Sequence, residues 1–151
     1  MGKLMFAREN YQQAVVCFER AKQPLEASIS NAYHLRKTAR LLQEGSSSRK
    51  EGFTEAANAF YHCASGDHPQ SQTCYLNAGK CYAEAGRDSE ASKAYCLGGD
   101  FTKGAKHARM AGEFDRALQI IQDPTNAVDN TVASAIVEVC KVIYVREESY
   151  R

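Results

Sequence analysis

Small residues followed four positions later by a bulky one recur along the chain, and they mark amphipathic helices. The series runs Tyr11-x-x-Ala14-x-x-x-Phe18-x-x-Ala21, Phe53-x-x-Ala56-x-x-x-Phe60-x-x-Cys63, Asp88-x-x-Ala91-x-x-x-Tyr95-x-x-Gly98 and Phe114-x-x-Ala117-x-x-x-Ile121. Positions three and four apart share a helix face, so each unit sets a small and a large side chain on one stripe. The successive alanines Ala14, Ala56, Ala91 and Ala117 lie 42, 35 and 26 residues apart, scattered around the ~34-residue length of a helical hairpin repeat.

Partner helices fill the intervals. Over 70–85, Cys74, Ala78, Cys81 and Ala85 follow helical spacing, with Tyr75 and Tyr82 beside them. Gly86 then predicts a helix stop, and Asp88 an N-cap for the next helix. The fourth unit reads as a helix over 101–110, a stop at Gly112, and a helix over 114–121 closed by Asp123-Pro124. A longer helix over about 25–43 carries Leu25, Ile29, Ala32, Leu35, Ala39 and Leu42 on one face. The polar, serine-rich stretch 44–52 predicts a mobile, protease-sensitive loop. No segment sustains a period of two, and 3 prolines and 10 glycines gathered at helix ends leave little room for a sheet. The prediction is all-α: antiparallel helical hairpins stacked as an irregular solenoid. Its units cover about 2–24, 25–64, 70–98 and 101–122, with a C-terminal helix over about 127–146, in a single domain spanning 1–151.

Composition narrows the class without naming an activity. A chain of 151 residues, 44% hydrophobic and 25% charged, has the profile of one globular domain. Nineteen Lys and Arg against 18 Asp and Glu leave a net charge of +1, which gives little attraction for a phosphate backbone. The most apolar run, 132–145, is broken by Ser134, Glu138 and Lys141 and falls short of the roughly 20 residues of a bilayer span. With no apolar signal segment at the start, an intracellular location, cytoplasmic or nuclear, is expected. The 6 cysteines contain no Cys-x-x-Cys pair. The nearest two, Cys74 and Cys81, stand two helical turns apart, about 10 Å, too far to share a zinc ion or a disulfide. Buried, reduced thiols are expected.

The run Tyr75-Leu-Asn-Ala78-Gly79-Lys-Cys-Tyr82-Ala-Glu-Ala-Gly86-Arg-Asp-Ser-Glu-Ala91-Ser-Lys-Ala-Tyr95 resembles a tetratricopeptide (TPR) repeat. Phe101, Ala105, Ala108, Gly112, Phe114, Ala117 and Ile121 repeat much of it. Gly2, Met5, Tyr11, Ala14, Phe18, Ala21 and Pro24 resemble a first unit missing its opening turns. The irregular period is similar to the looser repeats of vesicle-fusion adaptors and transport-complex subunits. The Cys-Tyr-x-x-Ala-Gly and Ala-Gly-x-Phe-x-x-Ala runs also resemble the repeat region of large fungal and animal proteins joining a UvrD-like helicase domain to TPR and ankyrin repeats. The resemblance covers about residues 2–122 and implies a non-catalytic protein-interaction scaffold.

At the far end, Val132, Ile136, Val139 and Ile143 form one stripe, which Val137, Val142 and Val145 widen beyond what one neighbour buries. A partly exposed helix, self-association through it, or a chain that is a piece of a longer array is expected.

Chemical motifs are sparse. Gly99-Asp-Phe-Thr-Lys-Gly104-Ala105-Lys106 is close to a phosphate loop, but Ala105 separates the glycine from the lysine and no strand precedes it. His62 and Cys63, adjacent on a helix, point about 100° apart and make no dyad. Carboxylates are scattered singly. Neither a catalytic set, a metal site nor a cofactor is predicted. What remains is a surface. In hairpin arrays the first helix of each unit lines the concave side. By the resemblance this sets Asn77, Lys80 and Glu84 of the third unit and Lys106 and Arg109 of the fourth toward a groove, continued by Arg36, Lys37 and Arg40. The expectation is a mildly basic groove for an acidic or carboxylate-bearing segment of a protein partner. The plainer reading is a set of solvated helix faces, and the other class of partner to weigh is nucleic acid. With a single Asn, the two-carboxylate clamp of chaperone-binding repeats is incomplete.

Overall fold

The computed structural model describes residues 1–150, and they are helical, with no strand among them. In chain order the helices are α1 (Gly2–Ala7), α2 (Tyr11–Arg20), α3 (Pro24–Arg40), α4 (Ser47–Ala64), α5 (Ser71–Glu84), α6 (Asp88–Leu97), α7 (Phe101–Met110), α8 (Phe114–Gln122) and α9 (Asn130–Ser149). Each packs against the next in sequence, and α9 lies against both α7 and α8.

One turn, built five times, makes that order. At the α1–α2, α2–α3, α5–α6, α6–α7 and α7–α8 junctions three residues intervene, and the middle one, Glu9, Lys22, Gly86, Gly99 or Gly112, has positive φ. In each the residue after it donates its N–H to a carbonyl five positions back: Asn10 to Met5, Gln23 to Phe18, Arg87 to Tyr82, Asp100 to Tyr95 and Glu113 to Ala108, all at 2.9 Å. This closure satisfies carbonyls orphaned at the helix end and folds the chain back at once.

Alanine fills the positions where helices approach. Ala14, Ala32, Ala56, Ala57, Ala78, Ala91, Ala94, Ala105, Ala108 and Ala117 are wholly buried. Larger groups fill the gaps they leave: Phe53, Phe60, Tyr82 and Tyr95 form the central cluster with Ala32, Ala56, Ala57, Ala78, Ala91 and Ala94. Phe60, fully buried, meets the Tyr33 ring edge to face at 5.0 Å; burial of such a side chain is worth about 1.5–3 kcal/mol. Gly79 and Gly104 mark two close approaches between neighbouring helices. A Cβ at Gly79 would stand 2.9 Å from the Tyr95 ring, and one at Gly104 would collide with Cys96 Sγ. All 6 cysteines are free, with Cys63, Cys74, Cys81 and Cys140 buried and Cys17 and Cys96 half-buried.

Three local readings need correction. Residues 47–52 are the first turns of α4, not loop, because Ser46 caps them: its Oγ accepts from Arg49 N at 3.2 Å and donates to Gln43 O at 2.7 Å. Asp88 lies inside α6, whose cap is Arg87; its carboxylate instead meets His107 Nδ1 at 2.9 Å. The last helix starts at Asn130, where Asp129 accepts from Thr131 N and Val132 N, and runs to Ser149. Ile136 and Cys140 of α9 are buried against α7 and α8, whereas Val142 and Val145 are 54% and 62% exposed. Among the described residues no helix is long and apolar enough to cross a membrane.

Candidate functional site

Where α3, α4 and α5 meet, Arg36, Arg40, Arg49, Phe53, Lys80, Cys81 and Glu84 line a cleft of about 200 Å³. The floor is apolar and fixed: Phe53 and Cys81 are 2% and 1% exposed. The walls are charged. Arg36 and Arg40 are one helical turn apart on α3, and Lys80 and Glu84 one turn apart on α5, so each pair presents to one side.

Two of the three arginines, Arg36 and Arg49, are held in place by neutral groups. Arg36 Nη1 donates to Asn77 Oδ1 at 3.0 Å, and its guanidinium lies 4.7 Å from the centre of the Tyr33 ring and 5.5 Å from that of Phe60. Asn77 Nδ2 in turn donates to Tyr33 Oη at 3.0 Å. Arg49 Nη1 donates to Arg40 O at 2.8 Å and Leu42 O at 3.1 Å, closing the end of α3, while its guanidinium lies 5.1 Å from the centre of the Phe53 ring. Rings and carbonyls orient these cations without neutralising them.

Among the described residues none of the five charged groups of the cleft forms an ion pair. Four cations and one carboxylate therefore give it a formal charge of +3 (4 − 1), against +1 for the whole chain. Burial pushes the Cys81 thiol up to about 11; Arg36, Arg40 and Lys80 oppose the rise and Glu84 adds to it. The same four charges thus act on one point in the floor.

Five of the eight sequence-predicted groove residues meet here. Arg36, Arg40, Lys80 and Glu84 line the cleft, and Asn77 stands behind it, 7% exposed, as a support for Arg36 and not as an open contact. Its amide is drawn inward because Tyr33 and Arg36 supply both a partner for its N–H and one for its carbonyl. Lys37 points elsewhere, its Nζ donating to Glu9 O at 2.9 Å beside Tyr11. It borders a separate hollow of about 380 Å³ with Glu9, Tyr11 and His34. Lys106 and Arg109 are exposed on α7 and do not line the cleft. Arg49 is the residue that sequence reasoning missed. Its one signal is the Ser46-x-x-Arg49 spacing that starts α4 and turns the arginine back onto α3.

Other clusters are structural. His107 bridges α7 to Asp88 and stacks on Tyr95 at 5.3 Å between ring centres. His68 Nε2 lies 2.7 Å from Cys63 O in the α4–α5 turn. In the glycine-rich 99–106 stretch Asp100 caps α7 by accepting from Lys103 N at 3.1 Å, so the backbone N–H a phosphate would use is already engaged. Among the described residues no three His, Cys, Asp or Glu side chains are placed to hold a metal ion. No family model, curated protein or solved structure matches the chain.

Proposed function

We propose that this chain is a non-catalytic protein-interaction scaffold, a TPR-like stack of helical hairpins whose α3–α4–α5 cleft captures an acidic segment of a partner protein. One observation carries the reading: Arg36, Arg40, Arg49 and Lys80 share a small cleft with a single carboxylate, Glu84, and among the described residues none of them forms an ion pair. Unpaired like charges repel one another, and a bound anion relieves that repulsion. The preformed geometry lowers the ordering cost of binding, because Arg36 and Arg49 are already oriented by Asn77, backbone carbonyls and aromatic rings. Consecutive hairpins joined by short turns favour a stacked array, in which successive units present a continuous face.

The test is fluorescence anisotropy of a labelled glutamate-rich peptide with the chain and with an Arg40→Glu/Lys80→Glu variant. Both positions are exposed, so the fold withstands the change. Capture by the native chain that weakens with salt and falls at least about tenfold in the variant is expected, since two exposed cations of the cleft become carboxylates and a tenfold loss corresponds to ~1.4 kcal/mol. Equal capture by both proteins overturns the groove.

A further inference from the structure

We infer that the cleft is a site for a phosphate monoester dianion, on a modified side chain of a partner or on a free phosphate compound. This rests on the reading of the cleft as the binding surface and narrows the chemistry of what enters it. Charge is the first argument. In a +3 environment, the Coulomb attraction grows in proportion to ligand charge, so a dianion is held with twice the attraction of a single carboxylate. A single carboxylate would still leave two positive charges uncompensated in a narrow cleft.

Donor geometry is the second. The cations come from three helices, Arg36 and Arg40 from α3, Arg49 from α4 and Lys80 from α5. A carboxylate is planar and one guanidinium fork engages both of its oxygens; a phosphate presents three terminal oxygens in a pyramid that donors reach from several sides. Supply matches that demand. Arg36 and Arg49 each use Nη1 on the protein, and among the described residues their Nε and Nη2, the Arg40 guanidinium and Lys80 Nζ have no acceptor. The volume of about 200 Å³ admits a phosphoryl group with its ester carbon above a floor of Phe53 and Cys81.

The groups facing that volume are Arg36 and Arg40 on α3, Arg49 on α4, and Lys80, Cys81 and Glu84 on α5. No histidine lines it. Second ionisation of a phosphate monoester, near pH ~6, thus supplies a distinctive signature.

Calorimetric titration of the full chain with three probes tests the inference: a peptide bearing one phosphoserine among neutral residues, the same peptide with glutamate there, and inorganic phosphate. The phosphoserine peptide should bind about tenfold tighter than the glutamate peptide near pH ~7.5, the preference shrinking toward pH ~5.5 as the ligand becomes monoanionic. An Arg40→Gln/Lys80→Gln variant, changed at two exposed positions, should keep its helicity and lose the preference. Inorganic phosphate as tight as the phosphopeptide identifies a free phosphate compound as the source; a markedly weaker one identifies the modified side chain; either supports the dianion. Equal affinity for the phosphoserine and glutamate peptides overturns the dianion and leaves the acidic-segment reading standing. Binding of none of the three probes overturns the dianion, and the acidic-segment reading then stands or falls with the glutamate-rich peptide.

Discussion

Glu9 and Lys22 stand where three sister turns have glycine. Their φ angles of 58° and 56° fall in the left-handed region, which costs an L-residue roughly 1–2 kcal/mol. The helix-closing bonds at these turns hold them there regardless. Lys22→Gly should therefore stabilise the protein by roughly 0.5–1 kcal/mol, the strain relieved less the added freedom of glycine in the unfolded chain. The urea midpoint should rise; a lower midpoint would mean that the Lys22 side chain contributes more than its backbone strain takes away. Legibility in the sequence divides along the same line. Gly86 and Gly112 announce their turns, whereas a glutamate and a lysine carry no such signal, and the turns they occupy emerge only from the backbone. Asn77 is a similar case. Polar and mid-helix, it suggests a surface contact, and only the arrival of Tyr33 and Arg36 from another helix turns it inward.

At the level of elements, α6, α7 and α8 are joined by polar clips as well as by alanine contacts. Ser92 Oγ donates to Gly104 O at 2.7 Å in the interior, and His107 reaches Asp88. Ser89 donates to the Glu113 carboxylate, which also accepts from Arg116 Nη1 at 3.2 Å. The Ser89 hydrogen bond first, and Arg116 after it, hold the Glu113 carboxyl below its ordinary 4.5. A carboxyl whose folded value is depressed adds stability that is complete above its unfolded value and vanishes as pH falls through the folded one. Stability should accordingly decline below about pH 4.5, and Glu113→Gln should make that decline shallower. Urea midpoints measured from roughly pH 3 to 6 would show it; parallel curves for the two proteins would remove Glu113 from the account. The polar 44–52 stretch is a lesson of the same scale. Its composition favours a loop, yet one well-placed serine supplies a cap and lets the helical period of Phe53, Ala56 and Phe60 extend back to Ser47. That extension is what delivers Arg49 to the cleft.

For the whole molecule, the all-helical class follows from periodicity because almost every contact between helices joins sequence neighbours. Local pattern and tertiary packing then carry the same information. The site is less legible. A net charge of +1 conceals a cleft of +3, because opposite charges elsewhere balance it. Helix-face reasoning brings Arg36, Arg40, Lys80 and Glu84 together, yet it also enrols Lys37, Lys106 and Arg109, which the packing sends to other surfaces. Which charges share a cleft depends on how one helix is rotated against the next, a quantity that single-helix periodicity does not contain.

The central claim is that the α3–α4–α5 cleft is the surface that receives an acidic partner segment. Backbone amide shifts of the isotopically labelled chain, followed while an unphosphorylated glutamate-rich peptide is added, test it most directly. The account predicts saturable shifts gathered around Arg36, Arg40, Arg49, Phe53, Lys80 and Cys81, with α7 and α9 unmoved. Shifts centred on Lys106 and Arg109, or on the exposed valines of α9, would contradict it.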